Sequence, residues 1–406
     1  MASWRRRLGL ERRVAALAAG LFVFGLGEEL WSRYVPEYLR ALGASALAIG
    51  AFGTLRDLLD AAYAYPGGWL SDRLGNRRAL LFFGGMTAAG LVVYAAWSSI
   101  AAVFAGLFLV AGWKSLGLPA TFAIVGEELQ GGKRVVGFSV QAIVKRLPIV
   151  IAPPLGGLAI ERFGILRGMR AGFAVSLVFA AAMLAILWAA FRNSSHPLPA
   201  GEGRGEGVTG AANRTAPPLH PTLRRLLVAD CLVRLCEGLP DVFLVVWALE
   251  IVRISPSRFG LLVSIMMATA ILSYFPAAVL AGRLEKKPFV VATFLFFTLF
   301  PLAVVMSRDF GQLAAAFVVG GLREIGEPAR KALIVDLSAF AARGRTVGLY
   351  YGIRGFAVAG AAAVGGILWT IRPSLTFYVA GALGAAGTLW TILRVPGKIA
   401  PEADNR

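Results

Sequence analysis

Eighteen charged side chains stand inside long apolar runs of this sequence, where each needs an opposite charge or water beside it. Placing one Arg, Lys or Asp at the centre of a membrane helix costs about 2.5–3.5 kcal/mol, so such residues form ion pairs or line a cavity. The basic members are Arg56, Lys114, Lys145, Arg146, Arg234, Arg323, Arg330, Lys331 and Arg354. The acidic members are Glu28, Glu29, Asp57, Asp60, Asp230, Glu237, Asp241, Glu324 and Glu327. The chemistry open to them is ion pairing, proton transfer and the binding of charged solutes.

Several of these charges have an opposite charge three or four residues away, a spacing that brings side chains together on one helix face. The predicted pairs are Arg56/Asp60, Asp230/Arg234, Arg323/Glu327, Arg234/Glu237 and Glu327/Arg330. A purely structural role in membrane insertion explains such pairs. Alternatively, the charges near residues 56–60 face an outer vestibule.

The members of the set without a local partner are of more interest for function: Lys114, Glu28, Glu29, Lys145, Arg146 and Arg354. An acid that binds a proton on one side of the membrane and releases it on the other couples transport to the proton gradient. We expect this acid to be one of Glu28, Glu29, Glu237, Glu324 and Glu327. The candidates for a substrate cavity are Lys145, Arg146, Arg323 and Arg354.

The composition around these charges is that of a membrane protein. Of the 406 residues, 57% are apolar and 16% are charged, and the mean hydropathy is +0.70, whereas soluble domains have about 45–50% and about 25%. The apolar residues form blocks close to the ~20 residues that cross a bilayer. They predict an all-α membrane protein with twelve transmembrane helices, near residues 14–32, 46–70, 79–97, 100–126, 135–160, 168–190, 225–250, 258–282, 288–306, 310–335, 346–370 and 374–393.

The formal net charge of +18 is distributed as a topology signal. With twelve spans and a cytoplasmic N-terminus, 23 Lys and Arg residues fall on the cytoplasmic side and 9 on the opposite side. This bias is the positive-inside rule. It predicts a multi-pass protein of a bacterial-type cytoplasmic membrane with both termini in the cytoplasm. Because topology explains the excess of basic residues, we expect no nucleic-acid partner.

The chain reads as two related halves. A Pro- and Gly-rich segment, 192–224, is typical of a flexible linker, so we predict six-helix bundles at 1–191 and 225–406. Residues of the first half recur in the second at an offset of 209: Gly112/Gly321, Gly117/Gly326, Pro119/Pro328, Glu127/Asp336 and Gly156/Gly365. Several matches in register indicate duplication, and repeats of this kind place a substrate site near the bilayer midplane between the halves.

A charged turn lies between the second and third spans. Its residues are Gly68, Asp72, Arg73, Gly75, Asn76, Arg77 and Arg78. A reduced copy follows 210 residues later, in which Pro66, Leu70, Arg73 and Leu74 recur as Pro276, Leu280, Arg283 and Leu284. The turn resembles the Gly-x3-Asp-Arg-x-Gly-Arg-(Arg/Lys) motif of the major facilitator superfamily, with Asn76 in place of a basic residue.

This resemblance extends over the whole chain apart from the linker and implies the fold of that superfamily, two pseudo-symmetric bundles of six helices. It also implies that the turn controls gating. Asp72 would lie against the N-terminal end of the eleventh span, near 345–348, and Arg73 would pair with Glu127. Alternatively, the basic residues of the turn serve only as positive-inside anchors.

Two further features resemble proton-antiport exporters of the same superfamily. The fifth span contains Ala152-Pro-Pro-Leu-Gly-Gly157, close to their Gly-Pro-x-x-Gly-Gly signature. Lys114 occupies the fourth-span position at which the family commonly has an intramembrane Arg linked to proton coupling. The alternative for the fifth-span motif is ordinary close helix packing, which small residues favour.

These features predict a proton-coupled exporter of small organic solutes that works by alternating access. The alternative is a proton-coupled importer of an anionic metabolite. A positive patch would attract the anion, unless intramembrane acids neutralise that patch. The patch residues are Lys114, Lys145, Arg146 and Arg354, and the acids are Glu324, Glu327 and Asp241.

An intramembrane enzyme is a third interpretation, but no predicted span contains His, and neither His-Glu-x-x-His nor Gly-x-Ser-x-Gly occurs. We therefore expect no enzymatic activity, no cofactor and no metal. The expected partners are a small-molecule substrate, H+ and the lipid bilayer, and we expect a monomer.

Overall fold

A computed structural model of the chain describes residues 12–74, 76–113, 132–191, 219–281, 285–337 and 343–396. Within these ranges every regular element is helical, and helix is present in each of the twelve predicted spans. The helices before the predicted linker are α1 Arg12–Glu29, α2 Val35–Ala41, α3 Ala46–Leu74, α4 Asn76–Ala96, α5 Ile100–Trp113, α6 Gly132–Phe163 and α7 Ile165–Phe191. A short 3₁₀ turn at Ser32–Tyr34 leads into α2.

The helices after the predicted linker are α8 Pro221–Asp241, α9 Leu244–Val246, α10 Pro256–Ala281, α11 Lys286–Met306, α12 Phe310–Leu322, α13 Glu327–Asp336, α14 Arg343–Val358, α15 Ala361–Ile371 and α16 Pro373–Arg394. A π-helical turn at Trp247–Ile251 follows α9. By length and apolar composition alone, six helical stretches of the described residues qualify to cross a membrane, one of which runs from α14 through α15. One that does not qualify is α8, which carries Asp230, Arg234 and Glu237.

The described residues form two compact units. The first contains 12–43 and 55–191, and the second contains 44–54 and 219–396. In the first unit, α1 packs against α6 and α7, and α4 packs against α7. In the second, α16 packs against α8 and α11, while α8 also contacts α14 and α15. The predicted linker lies largely outside the described residues, so the predicted bundle boundaries stay a prediction.

The tenth predicted span is two helices, α12 and α13, rather than one. Pro328 lacks the N–H that a continuous helix would donate to the carbonyl of Glu324. In the break, the Gly326 N–H donates to Thr293 Oγ1 at 2.6 Å, and a Cβ at Gly326 would collide with the carbonyl oxygen of Phe289. The close approach of α11 therefore requires glycine here.

The seventh and eleventh predicted spans are also interrupted. Pro240 ends the regular part of α8, because it cannot donate to the carbonyl four residues earlier. The eleventh span breaks between α14 and α15 at Ala359 and Gly360, where glycine lowers helix stability. Non-helical backbone at membrane depth is tolerated where protein or a water-filled cavity covers it. At each break, the backbone groups freed from the helix therefore need protein or water beside them.

Candidate functional site

A buried ion network begins on one face of α8. Arg234 lies four residues after Asp230 and three before Glu237, so the three side chains stack on that face. Arg234 Nη1 donates to Glu237 Oε2 at 2.7 Å, and its Nε lies 3.8 Å from Asp230 Oδ1. The Asp230 side chain is fully buried. Two of the ion pairs predicted from spacing are thus present.

The facing helix, α13, closes these charges into a ring of alternating sign. Glu327 Oε1 accepts from Arg234 Nη2 at 2.7 Å, and Glu327 Oε2 accepts from Arg330 Nη2 at 2.8 Å. Arg330 Nη1 in turn donates to Asp230 Oδ2 at 2.5 Å. The Arg330 side chain is only 2% exposed, so its charge is compensated almost entirely by these two acids.

A third helix, α14, joins the ring at Asp230. The Tyr350 hydroxyl donates to Asp230 Oδ2 at 3.0 Å, and Arg354 Nη1 lies 3.4 Å from the same oxygen. Arg354 also stacks over the Tyr351 ring, 4.5 Å from its centroid. Asp230 therefore connects α8, α13 and α14 through one carboxylate oxygen.

Arg323 occupies the outer edge of the network, at the end of α12. Its Nη1 lies 3.5 Å from Glu237 Oε1, and its Nε donates to the carbonyl of Gly320 at 2.7 Å. Its guanidinium also lies 4.8 Å and 4.6 Å from the ring centroids of Phe297 and Phe300, a cation–π arrangement. The predicted pairing of Arg323 with residue 327 is wrong, because the helix break between α12 and α13 removes the stacking that a continuous helix would give.

The charges of the network nearly balance. Four arginines and three acids are joined by the ion pairs, which leaves 4 − 3 = +1: Arg234, Arg323, Arg330, Arg354, Asp230, Glu237 and Glu327. Side-chain exposure separates the acids, at 0% for Asp230, 8% for Glu327 and 33% for Glu237. Among the described residues, Asp230 Oδ1 and Arg234 Nε are buried without a hydrogen-bond partner. Unpaired polar atoms in a low-dielectric interior are costly, so the network is not fully satisfied in this arrangement.

Comparison with known proteins identifies the family. The chain matches the Major Facilitator Superfamily over residues 17–236 and again over residues 226–406. The chain belongs to this superfamily. The predicted fold and the prediction of a membrane transporter rather than an enzyme are confirmed, and the two matched stretches agree with the repeat seen in the sequence.

Solved transporter structures share the fold of this superfamily member at low sequence identity. A mutant of the peptide transporter POT aligns with a TM-score of 0.74 and 17% identity, over 94% of this chain and 93% of that chain. A POT family transporter in complex with 5-aminolevulinic acid gives 0.74 and 15%, over 94% of each chain. A mutant of the nucleoside transporter NupG gives 0.75 and 12%, over 93% and 98%. No curated protein matches the chain.

In the first unit of this superfamily member, the predicted acids lie at the end of α1. Glu29 is buried and accepts a hydrogen bond from Arg33 Nε at 3.2 Å. The expectation that Glu29 lacks a local partner is therefore wrong, since Arg33 stands one helical turn later. Glu28 is half-buried beside it.

Only some of the other first-half candidates lie in the described residues. Lys145 and Arg146 lie on α6, and Arg146 is half-buried. Lys114 and Glu127 fall outside the described residues. Their proposed roles in coupling and gating stay predictions.

The superfamily turn motif joins two helices. Gly68, Asp72 and Arg73 lie on the last two turns of α3, and Arg77 and Arg78 lie in the first turn of α4.

Arg73 and Arg78 are exposed, while Gly75 is outside the described residues. In the second copy, Lys286 at the start of α11 forms an ion pair with Asp336 at the end of α13. Asp336 is the repeat counterpart of Glu127, and its ion pair connects the turn of the second copy to a neighbouring helix.

The sequence did not identify two features of the network. Tyr350 was not a candidate, and Arg354 was proposed for a substrate cavity, yet both contact Asp230. Asp230 had been assigned only to a structural pair. Its many partners come from helices distant in sequence, which helical spacing does not reveal. Glu324 lies half-buried in the α12–α13 break, three residues before Glu327.

Proposed function

We propose that this protein is a proton-coupled transporter that exports a small organic solute by alternating access, with the α8–α13–α14 ion network as its coupling centre. Its family supports transport, and the observation that carries the coupling proposal is the buried ring of Asp230, Arg330, Glu327 and Arg234. Buried charges of this kind in transporters mark proton relays and substrate paths. Interrupted helices near the midplane are a common setting for such sites.

Among the five predicted proton carriers, Glu237 is supported best by its position. It is the most exposed of the three network acids, so water and a solute reach it more readily. Its two oxygens contact different arginines, Arg234 through Oε2 and Arg323 through Oε1. A proton on Glu237 removes the charge that holds both.

The two arginines respond differently to that proton. Arg234 keeps Glu327 as a partner at 2.7 Å. Arg323 keeps the Gly320 carbonyl, Met266 Sδ at 3.7 Å and the rings of Phe297 and Phe300, none of which carries a negative charge. Protonation of Glu237 therefore frees the guanidinium of Arg323, while deprotonation restores a carboxylate that attracts cations.

This switch suits export by exchange. A cationic or polar solute competes with the proton for Glu237, so proton binding from one side releases the solute there. Three of the four network arginines have acidic partners at 2.5–3.4 Å, which reduces the positive patch that would attract anions.

The alternative function is proton-coupled import of an anionic metabolite. It is favoured by the excess of one positive charge in the network and by Arg323, whose guanidinium is released when Glu237 binds a proton. In that case proton and anion bind together and move in the same direction. The two functions predict opposite effects of a proton on solute binding.

The test uses the purified protein in liposomes with an imposed pH gradient. A hydrophobic cation and an organic acid serve as solutes, because exchange favours the first and import favours the second. We expect Glu237→Gln to abolish gradient-driven movement of the solute while exchange between two pools of solute continues. The exposed Glu161→Gln variant on α6 is the matched control and should retain both activities.

Glu28, Glu29, Glu324 and Glu327 are tested as Gln variants in the same assay, since they are the other predicted carriers. If only one of these variants loses gradient-driven movement, that residue and not Glu237 carries the proton. Gradient-driven movement that survives in all five variants removes proton coupling by these acids. The contacts predicted for Asp72, Arg73 and Glu127 remain part of this proposal as the gating element.

A further inference from the structure

Three cationic side chains meet at one end of the second unit, where α8 and α11 begin and α16 ends. Arg225 Nη1 donates to the carbonyl of Arg394 at 3.3 Å. Lys287 Nζ donates to the carbonyl of Ile392 at 2.9 Å. The side chain of Arg394 lies over Trp390, with its guanidinium carbon 5.7 Å from the ring centroid. These four side chains, Arg225, Lys287, Trp390 and Arg394, are called the α16 corner below.

The charges of the α16 corner are held in place without being cancelled. The contacts of Arg225 and Lys287 go to main-chain carbonyl groups at the last turn of α16, and Arg394 uses an aromatic ring. Within the described residues, the neighbouring Lys286 has a carboxylate, that of Asp336, whereas no ion pair joins the three corner cations to an acid. Arg225 and Arg394 are exposed, so N–H groups remain for an anion.

The surface around the corner is apolar on one side. Leu389, Ile392 and Leu393 on the last turns of α16 are 56%, 48% and 69% exposed. Trp390 is half-buried and its indole N–H donates to the carbonyl of Arg225 at 3.0 Å. A Trp whose indole N–H meets polar groups and whose ring meets apolar groups is typical of the membrane–water interface. Cations above an apolar surface match a molecule with an anionic head and a hydrocarbon chain.

We propose that the α16 corner binds the headgroup of an anionic phospholipid, with the acyl chain along Leu389, Ile392 and Leu393. Guanidinium groups contact phosphate oxygens in a bidentate manner, and the ammonium of Lys287 adds a point charge. The corner lies on the side predicted to be cytoplasmic, where anionic lipids concentrate. A soluble anion would use the cations but gain nothing from the exposed apolar side chains.

The experiment measures lipid binding to the full chain in neutral detergent micelles by native mass spectrometry. The probes are dioleoyl phosphatidylglycerol and dioleoyl phosphatidylcholine, which share acyl chains and differ in net charge. We expect phosphatidylglycerol to bind more tightly. The triple variant Arg225→Gln, Lys287→Gln, Arg394→Gln should weaken that binding about 100-fold, because each cation contributes about 1 kcal/mol and about 1.4 kcal/mol corresponds to tenfold.

The matched control removes three cations from the opposite end of the same unit: Arg258→Gln, Arg308→Gln and Arg372→Gln. Arg258 lies 5.6 Å from the Phe310 ring centroid, an arrangement like that of Arg394 and Trp390. We expect this variant to bind phosphatidylglycerol as the unaltered chain does. Equal losses in both triple variants would overturn the proposal, because total charge and not the corner would then set the binding.

Two additional measurements keep the proposal open to refutation if the triple variant does not fold. The single variants Lys287→Gln and Arg394→Gln should each weaken binding about fivefold. Brominated phosphatidylglycerol should quench the fluorescence of the unaltered chain more than that of Trp390→Phe. Equal quenching in the two proteins, or displacement of the lipid by excess inorganic phosphate, would rule out a lipid site at this corner.

Discussion

The two units place different chemistry in their buried interiors. In the first, Trp31 is held by neutral contacts. Its indole N–H donates to Ser176 Oγ at 3.0 Å, and the Ser176 hydroxyl donates to the carbonyl of Gly27 at 2.6 Å. Tyr94 and Phe173 pack against the same Trp31 ring. In the second, buried ion pairs connect α8, α13 and α14. Among the described residues, the interior of the first unit thus includes a neutral aromatic cluster around Trp31, whereas that of the second includes a network of buried ion pairs.

The difference matters because the two kinds of contact respond to different signals. A neutral hydrogen bond such as that between Trp31 and Ser176 does not change when a proton arrives. A ring of charges does, since protonating one acid alters every arginine that shares it. In the first unit, Glu29 pairs with Arg33 and Arg56 pairs with Asp57, both of them close neighbours along the chain. In the second unit, ion pairs also join separate helices, as Arg234/Glu327, Arg330/Asp230 and Arg354/Asp230 do, so we expect a change in them to alter how those helices pack.

The largest expected effect comes from Arg330→Met. This change removes the nearest cation of Asp230 and one of the two cations of Glu327, and breaking a buried ion pair in this way costs about 3–5 kcal/mol. The free energy of unfolding in detergent micelles should fall by that amount. We expect the double variant Arg330→Met, Asp230→Asn to be more stable than Arg330→Met alone, because it removes one of the two buried charges that lost this cation.

A double-mutant cycle over Arg330 and Asp230 measures this coupling. Additive losses at the two positions would mean that the pair at 2.5 Å carries no interaction free energy. The second unit would then resemble the first in being held by packing.

A smaller effect is expected in the first unit from Ser176→Ala. The change leaves the buried indole N–H of Trp31 without its acceptor, which costs about 1–3 kcal/mol. Tyr38→Phe is the matched control in the same aromatic core, because among the described residues the buried Tyr38 hydroxyl has no hydrogen-bond partner. We expect that control to be neutral or slightly stabilising when unfolding is measured as above. A loss for Tyr38→Phe as large as that for Ser176→Ala would show that shape and not hydrogen bonding holds Trp31.

The contrast between the units was only partly predictable from the sequence. Hydropathy predicted the helices, the turn motif together with the repeat predicted the family, and the four-residue spacing predicted the Asp230/Arg234 pair, because each of these is a local pattern. The partners Arg330 and Tyr350 come from helices 100 and 120 residues away, and nothing local specifies them. The break at Gly326 and Pro328 was visible as residues but not interpreted, and it redirects Arg323 from residue 327 to Glu237.

The smallest expected effect on stability comes from the charged turns, where the two copies are compared directly. Lys286 and Asp336 are 33% and 49% exposed, and an ion pair so open to water contributes about 0–1 kcal/mol. Lys286→Gln should therefore lower the free energy of unfolding by less than about 1 kcal/mol, and we expect Asp72→Asn to do the same.

The two turn variants should differ in transport. The first copy retains Asp72, whereas the reduced second copy has Gly282 at the position 210 residues later. If gating depends on Asp72 at a helix end, Asp72→Asn slows solute exchange in liposomes and Lys286→Gln leaves it nearly unchanged. Initial exchange rates of both variants, normalised to the amount of inserted protein, make the comparison. Equal rates would reduce both turns to topology anchors, and the difference between the units would then lie in their buried interiors alone.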